Sequence, residues 1–264
     1  NTVTKSSSMP DTGQFAIGID TGGTYTDALV YCRATERVVA KAKVPTTHSD
    51  LGGCVSEALR GTLFNGPVRL PEVGLVSVST TLATNALVEG GGRPAGLITI
   101  GLEDAITKRR GLGDLILTNP ILRLTGGHSP HGLELNALDL SPLKGWVASH
   151  DAELQAYAVV GAFSVRNPEH ELVAAKAIAQ ATGKFVTLSH ELSGELDAPK
   201  RAVTALLNAR LVPLIGQLIA AVESSMGQLG IDCPLMVMRG DGSLVSSEFV
   251  KTRPIETILS GPAA

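Results

Sequence analysis

With 264 residues, 44% of them apolar, the chain holds material for one large domain or two ordinary ones, each with a real core. A formal net charge of -3, with acids and bases mixed along the chain, excludes the strongly basic profile of a nucleic-acid or membrane-surface binder and leaves small molecules as the ligands to expect. Cys32, Cys54 and Cys233 lie far apart and make no zinc or redox spacing, which suits core thiols in a reducing cytoplasm, and no apolar run approaches the roughly 20 residues of a membrane span.

In chain order, the polar opening NTVTKSSS is no signal peptide, Met9 reads as a native start, and residues 1–14 read as a disordered or vector-derived tail. FAIGID, DALVYC and VVAKAKV follow one another closely with strand patterning and predict a three-stranded meander. In SDLGGCVSEALRGTLF, Leu51, Val55, Leu59 and Leu63 recur at helical spacing, with Ser49 placed as the cap. VGLVSVS then reads as a buried strand, TTLATNALVEG as a helix stopped by Gly90, Gly91 and Gly92, and AGLITIG as a second buried strand, which together predict a parallel crossover.

From about Leu102 to His150, Pro120, Pro130, Pro142 and several glycines break every pattern and predict loops with short elements. AYAVVGAF restores a strand. Asn167 as cap, Pro168 at the first helical position, apolar Leu172, Ala175 and Ile178, and Gly183 as the stop predict the next helix, and FVTLS closes a second crossover. A long helix follows from Pro199 to about Gly230, with Asp197 near its start, a stripe of Val203, Leu207, Leu211, Leu214, Leu218, Val222, Met226 and Leu229, and a kink at Pro213. PLMVM is a short strand and GDG, Gly240 to Gly242, a tight turn or a close approach to a ligand. The whole reads as α/β with mixed sheets.

GIDTGGTYTD, residues 18–27, carries the chemistry. A turn that brings backbone against phosphate needs residues without side chains and outward N–H groups, which Gly22 and Gly23 supply. Thr21, Thr24 and Thr26 add hydroxyls, and Asp20 at the strand end is placed to hold a hydrated Mg²⁺ that bridges phosphate oxygens. The alternative is a plain hairpin whose glycines serve positive φ. Neither G-x-x-x-x-G-K-[ST] nor G-x-G-x-x-G after a strand occurs, so the chain is neither a P-loop nor a dinucleotide-binding protein of the Rossmann kind. In STTLATNALVEG, Ser79, Thr80 and Thr81 fall at a strand-to-helix junction with Asn85 one turn on, either as ordinary caps or as an anion or polar-substrate site.

Four segments, GIDTGGTYTDALVY, VSVSTTLATNALVEG, SHELSGELDAPKRAVTALLNA and GDGSLVSSEFVKTRPIETILSGPAA, resemble those of the hydantoinase A/oxoprolinase family, in the same order and over most of the span from Phe15 to Ala264. The resemblance implies an actin-like ATPase (ribonuclease H-like) fold with mixed sheets flanked by helices. It implies an N-terminal family domain over 15–190 and the start of the main domain over 191–264. It also implies ATP with Mg²⁺ as cofactors, with Asp20 and Asp27 catalytic, Asp20 the metal anchor, and Gly22, Gly23, Thr24 and Thr26 on the phosphates. Thr80, Thr81, Asn85 and His190 would face the substrate. The implied activity is ATP-dependent hydrolysis of a cyclic amide or imide, of hydantoin or 5-oxoproline type, with a hydantoinase B/oxoprolinase-type partner subunit. The alternatives are the ATP-using subunit of a ketone carboxylase, a small-molecule kinase, and a nucleotide-switched binding protein. The family's second D-x-G-G-T hairpin follows the segment seen here as LSGPAA, so the expectation is a fragment that by itself binds ATP weakly or not at all.

The other polar residues have plainer readings. His128 and His131 in GGHSPHG are solvated or hydrogen-bonded loop histidines unless a third donor such as His190 or Asp114 makes a metal site. Pro199, Lys200 and Arg201 form a solvated first turn, with anion contact by Arg201 the alternative.

Overall fold

The computed structural model describes residues 13–47, 50–64, 68–88, 92–102 and 119–258. The cap Ser49, the stops Gly90 and Gly91, Asp114 and the segment LSGPAA therefore lie outside the described residues. The chain forms two compact units, the first from the residues up to Leu82 with Leu218–Ser247, the second from Ala83–Gln217 with Glu248–Ile258. Each unit draws on separate stretches of chain, so a boundary at residue 190 falls inside the second.

In the first unit the expected meander is present as β1 (Phe15–Thr21), β2 (Tyr25–Cys32) and β3 (Arg37–Pro45), paired antiparallel. After α1 (Leu51–Phe64), β4 (Val73–Thr80) returns parallel to β1. Two later strands complete a mixed sheet of order β10-β9-β4-β1-β2-β3: β9 (Leu235–Met238), parallel to β4, and β10 (Leu244–Ser246), antiparallel to β9. Alternation divides β1 cleanly. Phe15, Ile17, Ile19 and Thr21 are buried, and Ala16, Gly18 and Asp20 point the other way. Helix α1 packs on β2 and β3 through Cys54, Val55, Ala58 and Leu59, a stripe shifted from the expected one. Asp50 caps it, its Oδ1 accepting from Gly53 N at 2.8 Å.

The second unit holds four parallel strands, β5 (Ala95–Ile100), β6 (Ile121–Leu124), β7 (Ala156–Gly161) and β8 (Phe185–Leu188), in the order β6-β5-β7-β8. The predicted crossover from VGLVSVS to AGLITIG is corrected here, because β4 and β5 belong to different sheets. Periodicity identified both strands but says nothing about which strand each pairs with. The second crossover stands: β7 and β8 are parallel neighbours joined through α4 (Glu169–Thr182). Gly183 ends that helix in the left-handed region at φ 68°, and Asn167 Oδ1 accepts from Glu169 N at 3.1 Å.

Every residue of β5 and β7 is buried, as befits a parallel sheet covered on both faces. On one side Ile98, Ile100, Leu124, Tyr157 and Val159 meet α4 and α3 (Ser141–His150). On the other, Leu97, Ala158 and Val160 meet Ala202, Ala205, Leu206 and Ala209 of α6 (Ala198–Leu229). β6 and α3 both lie in the stretch expected to be mainly loops. Pro142 stands in the first turn of α3, where its missing N–H costs nothing, so the apparent breaker is a helix start. Helix α6 runs continuously through Pro213 and, by length and composition, is apolar enough to cross a bilayer, contrary to expectation. Half of its most apolar window is buried within the protein.

Candidate functional site

At the tip of the β1–β2 hairpin, Gly22 N donates to Tyr25 O at 3.0 Å and closes the turn. Neither Gly22 nor Gly23 adopts positive φ, so the turn does not demand glycine for its backbone angles. A Cβ on Gly22 would stand 3.1 Å from Tyr25 O. Gly23, Thr24 and Tyr25, at the tip, are exposed. The threonines divide by face: Thr21 and Thr26 are fully buried, with Thr26 Oγ1 bonded to Thr46 Oγ1 at 3.0 Å and Thr21 Oγ1 unpartnered. Of the three hydroxyls expected at a phosphate, only that of Thr24 is exposed, while Thr26 ties the hairpin to the chain after β3.

One residue back from the tip, the register aligns Ser79, Asp20, Asp27 and Lys43 directly across β4, β1, β2 and β3. Ser79 Oγ donates to Asp20 Oδ1 at 2.7 Å, and Lys43 Nζ donates to Asp27 Oδ2 at 3.1 Å. This polar row lies in a groove of about 850 Å³ on the sheet face opposite α1, lined also by Gly18, Leu29 and Lys41. Two carboxylates directly opposite one another repel, by up to about 1 kcal/mol, unless a cation stands between or beside them. Lys43 serves Asp27 and leaves Asp20 with a hydroxyl. Among the described residues no cluster of three metal-ligating side chains occurs. One or two carboxylates with retained waters and phosphate oxygens is the habitual environment of Mg²⁺, so Asp20 and Asp27 fit that ion and not a metal enclosed wholly by protein.

The start of α2 (Leu82–Val88) is strapped to the same hairpin. Thr80 Oγ1 donates to Thr21 O at 3.1 Å and accepts from Leu82 N at 3.0 Å, and Thr81 N donates to Thr21 O at 3.2 Å. Thr80 is fully buried, and its hydroxyl makes both of these bonds, a structural part at the strand-to-helix junction. Thr81 is half-buried. Asn85, also half-buried, belongs to the second unit.

His190 belongs to the second unit as well, in α5 (Ser189–Leu192), where it is part of a charged network that sequence reasoning missed. Its Nδ1 lies 2.6 Å from Oε2 of Glu171, a fully buried residue on α4. Glu171 also accepts from Ser189 Oγ at 2.6 Å and Gly161 N at 2.7 Å. Burial pushes its carboxyl up, but hydrogen bonds from His190, Ser164, Ser189 and Gly161 outweigh that and hold it below the ordinary carboxylate value. Arg201, expected in a solvated turn, is 1% exposed. Its guanidinium donates to Glu195 O and Gly161 O, each at 2.7 Å, and to Ser164 Oγ and Ser189 Oγ, each at 3.2 Å. The apolar pattern on α4 pointed to Leu172, yet Leu172 is 47% exposed and His170, Glu171, Ala174 and Ile178 are the buried face. The one sequence clue was that both Glu171 and Arg201 sit three or four residues from alanines that pack on the sheet.

The remaining candidates resolve simply. His131 is exposed, and the ring of His128 lies against that of His170 at 4.2 Å, tilted by 40°; among the described residues neither joins a group of three metal-ligating side chains. GDG is a turn between β9 and β10, with Asp241 accepting from Ser243 N at 2.9 Å.

A mixed sheet opening with a glycine hairpin, a parallel fourth strand beside it and helices flanking both sheets define an α/β protein with mixed sheets, consistent with the actin-like ATPase fold expected from the sequence. Its family can be stated directly. The chain belongs to the hydantoinase/oxoprolinase family: residues 16–182 match the hydantoinase/oxoprolinase N-terminal region and residues 201–264 the hydantoinase/oxoprolinase segment that follows it. It is 28% identical to caprolactamase subunit alpha of Pseudomonas jessenii, over 95% of this chain and 39% of that protein. It is 25% identical to 5-oxoprolinase 1 of Arabidopsis thaliana, over 95% of this chain and 23% of that one, and 26% identical to the acetophenone carboxylase gamma subunit of Aromatoleum aromaticum, over 94% and 38%. The crystal structure of ATP-dependent caprolactamase from Pseudomonas jessenii superimposes with a TM-score of 0.78 at 27% identity, covering 94% of this chain and 39% of that one. The chain thus spans about two-fifths or less of these relatives.

Proposed function

We propose that the full-length protein is an ATP-dependent hydrolase subunit that activates a cyclic amide or imide by phosphoryl transfer, with the β1–β2 hairpin as one of its phosphate-binding elements. The observation that carries this reading is the row Ser79–Asp20–Asp27–Lys43 at the base of a turn whose tip is exposed. A ring amide is resonance-stabilised and resists water. Bound ATP with Mg²⁺ would supply a γ-phosphoryl group to the amide oxygen with release of ADP. The carbon, made electrophilic, takes up water; the ring C–N bond breaks with the nitrogen leaving as an amine, and water hydrolyses the resulting acyl phosphate to carboxylate and phosphate. Asp20, oriented by Ser79, would hold the metal through its water shell, Asp27 would add a second carboxylate screened by Lys43, and Gly22 to Thr24 would let phosphate approach the main chain. Relatives named for a lactam and for 5-oxoproline support the substrate class. Relatives that are subunits of larger enzymes support a companion subunit of hydantoinase B/oxoprolinase type. The three free thiols agree with a reducing, cytoplasmic setting.

A second reading, the ATP-using subunit of a ketone carboxylase, rests on the likeness to the acetophenone carboxylase gamma subunit. ADP release by the full-length protein and its companion subunit separates the possibilities. Turnover with hydantoin, 5-oxoproline or caprolactam supports the hydrolase, and turnover only with ketone and bicarbonate supports the carboxylase. A stable phosphorylated product indicates a kinase, and turnover indifferent to all of them indicates a nucleotide switch.

A further inference from the structure

Opening a ring amide needs more than a phosphoryl group. Water must give up a proton as it adds to the activated carbon, and the ring nitrogen must gain one to leave as an amine; histidine is the commonest carrier of such protons. In the hairpin row Ser79 is engaged with Asp20 and Lys43 with Asp27.

The second unit contains a histidine arranged for this task. His190 lies directly after β8, in α5, and one oxygen of Glu171 faces both its Nδ1, at 2.6 Å, and its backbone N, at 3.3 Å. The other oxygen of Glu171 accepts from Ser189 Oγ at 2.6 Å and Gly161 N at 2.7 Å, and Ser189 Oγ accepts from Arg201 Nε at 3.2 Å. Burial pushes the Glu171 carboxyl up, but its hydrogen bonds outweigh that and hold it below the ordinary carboxylate value, so it is an anion that can only accept. The proton of a neutral His190 imidazole must therefore sit on Nδ1, which leaves Nε2 its lone pair. Nε2 has no hydrogen-bond partner among the described residues and is not buried, the side chain keeping 17% of its exposure. A carboxylate behind one ring nitrogen and an accessible lone pair on the other is the arrangement that makes imidazole an oriented base.

The other described histidines lack that combination. His170 engages both nitrogens, with Gly127 N and Glu134 Oε1, and Nε2 of His128 is buried. His150 bonds the Trp146 carbonyl and stacks on that indole, and the exposed His131 pairs with no carboxylate among the described residues.

We propose that His190 is a catalytic residue of the amide hydrolysis and that Glu171 positions it. As the oxygen of water bonds to the activated amide carbon, Nε2 takes one of the water's protons. As the ring C–N bond breaks, Nε2 returns that proton to the nitrogen, which leaves as an amine. The hydroxyl proton remaining on the carbon goes to solvent as the acyl phosphate carbonyl forms. Between the two transfers Glu171 stabilises the imidazolium. This role rests on the hydrolase reading and gives a chemical task to a residue expected only to face the substrate.

The test uses the full-length protein with its companion subunit and whichever of hydantoin, 5-oxoproline or caprolactam it turns over, with melting temperatures measured alongside. His190→Ala should lower kcat for the ring-opened product by about 100-fold or more, with KM within about threefold. Added imidazole should restore about tenfold or more of that loss, since a free base fills the space left by the side chain. His190→Gln, which still bonds Glu171, should be as slow as the alanine variant and gain nothing from imidazole. It carries the kinetic test if the alanine variant does not fold. Glu171→Gln, assayed where it is folded, should lower kcat by about tenfold or more with KM little changed. Diethyl pyrocarbonate, which acylates an unprotonated imidazole nitrogen, should label His190 in the free enzyme, and the cyclic amide should slow that labelling. Near-wild-type turnover by His190→Gln or Glu171→Gln, a folded alanine variant that imidazole does not rescue, or labelling indifferent to substrate would each overturn the proposal while the hydrolase reading stands. A wild type that turns over no cyclic amide would remove that reading, and this proposal with it.

Discussion

The six-stranded sheet carries α1 on one face and shows the row Ser79–Asp20–Asp27–Lys43 on the other, whereas the four-stranded sheet is covered on both faces and opens only where its strands end. In the first, alternation along each strand sends every second side chain into the groove, so the strands themselves carry the chemistry. In the second, β5 and β7 are wholly buried and mostly apolar, and the charged groups gather in the network of Glu171, His190 and Arg201. The first polar set can be altered without disturbing a core; the second is part of one.

That contrast makes unequal predictions. Asp20→Asn in the full-length protein with its companion subunit should cut substrate-dependent ATP turnover by about 10²–10³-fold, the usual result of losing a preorganised charge at a phosphoryl-transfer centre. The melting temperature should hold, because Asp20 is half-exposed and asparagine still accepts from Ser79. Turnover unchanged by this substitution would remove the hairpin from the mechanism.

Glu171→Ala should strike stability itself, destabilising the chain by about 3–5 kcal/mol in urea denaturation, since a buried guanidinium loses its neighbouring negative charge and the donors at Ser189, His190 and Gly161 lose their acceptor. The pH dependence has a definite sign. Because the folded carboxyl is held below its ordinary value, its stabilising contribution is complete above the unfolded value of about 4.3 and is lost as pH falls through the lower folded value. The gap between wild type and Glu171→Gln should accordingly narrow in acid. A gap that is constant or widens as pH falls would mean that Glu171 is not ionised in the fold. The smallest effect belongs to Leu172→Glu, a change within about 0.5 kcal/mol either way, because Leu172 lies on the exposed face of α4. A large loss there would restore the apolar stripe read from sequence.

The hairpin was legible because everything that makes it is local: strand, two glycines, strand, with aspartates at positions the pleat places together. Its fourth member, Ser79, was visible as a polar residue but its pairing with Asp20 depends on a register between residues 59 apart. The second unit was legible as strands and helices and not as a site. Pro142 read as a breaker because a proline's meaning changes between the first turn of a helix and its interior. Arg201 read as solvated because charge ordinarily is, Glu171 drew no reading at all, and only the tertiary fold reveals the hydrogen bonds that make their burial tolerable. The separation of β4 from β5 into different sheets was invisible for a related reason, since periodicity describes a strand's faces and leaves its edges unspecified.

The double hydrogen bond on the Thr21 carbonyl has a kinetic consequence. The β1–β2 turn closes over a handful of residues, an event of microseconds, but the bonds from Thr80 Oγ1 and Thr81 N that pin its tip span about 60 residues. Loop-closure entropy for that span must be met before the tip acquires its final position, so during folding the hairpin exists first as a swinging ribbon and becomes a fixed cradle only when β4 docks. Along the refolding coordinate, the capacity to hold an anion at the tip should therefore appear later than the strands that form it.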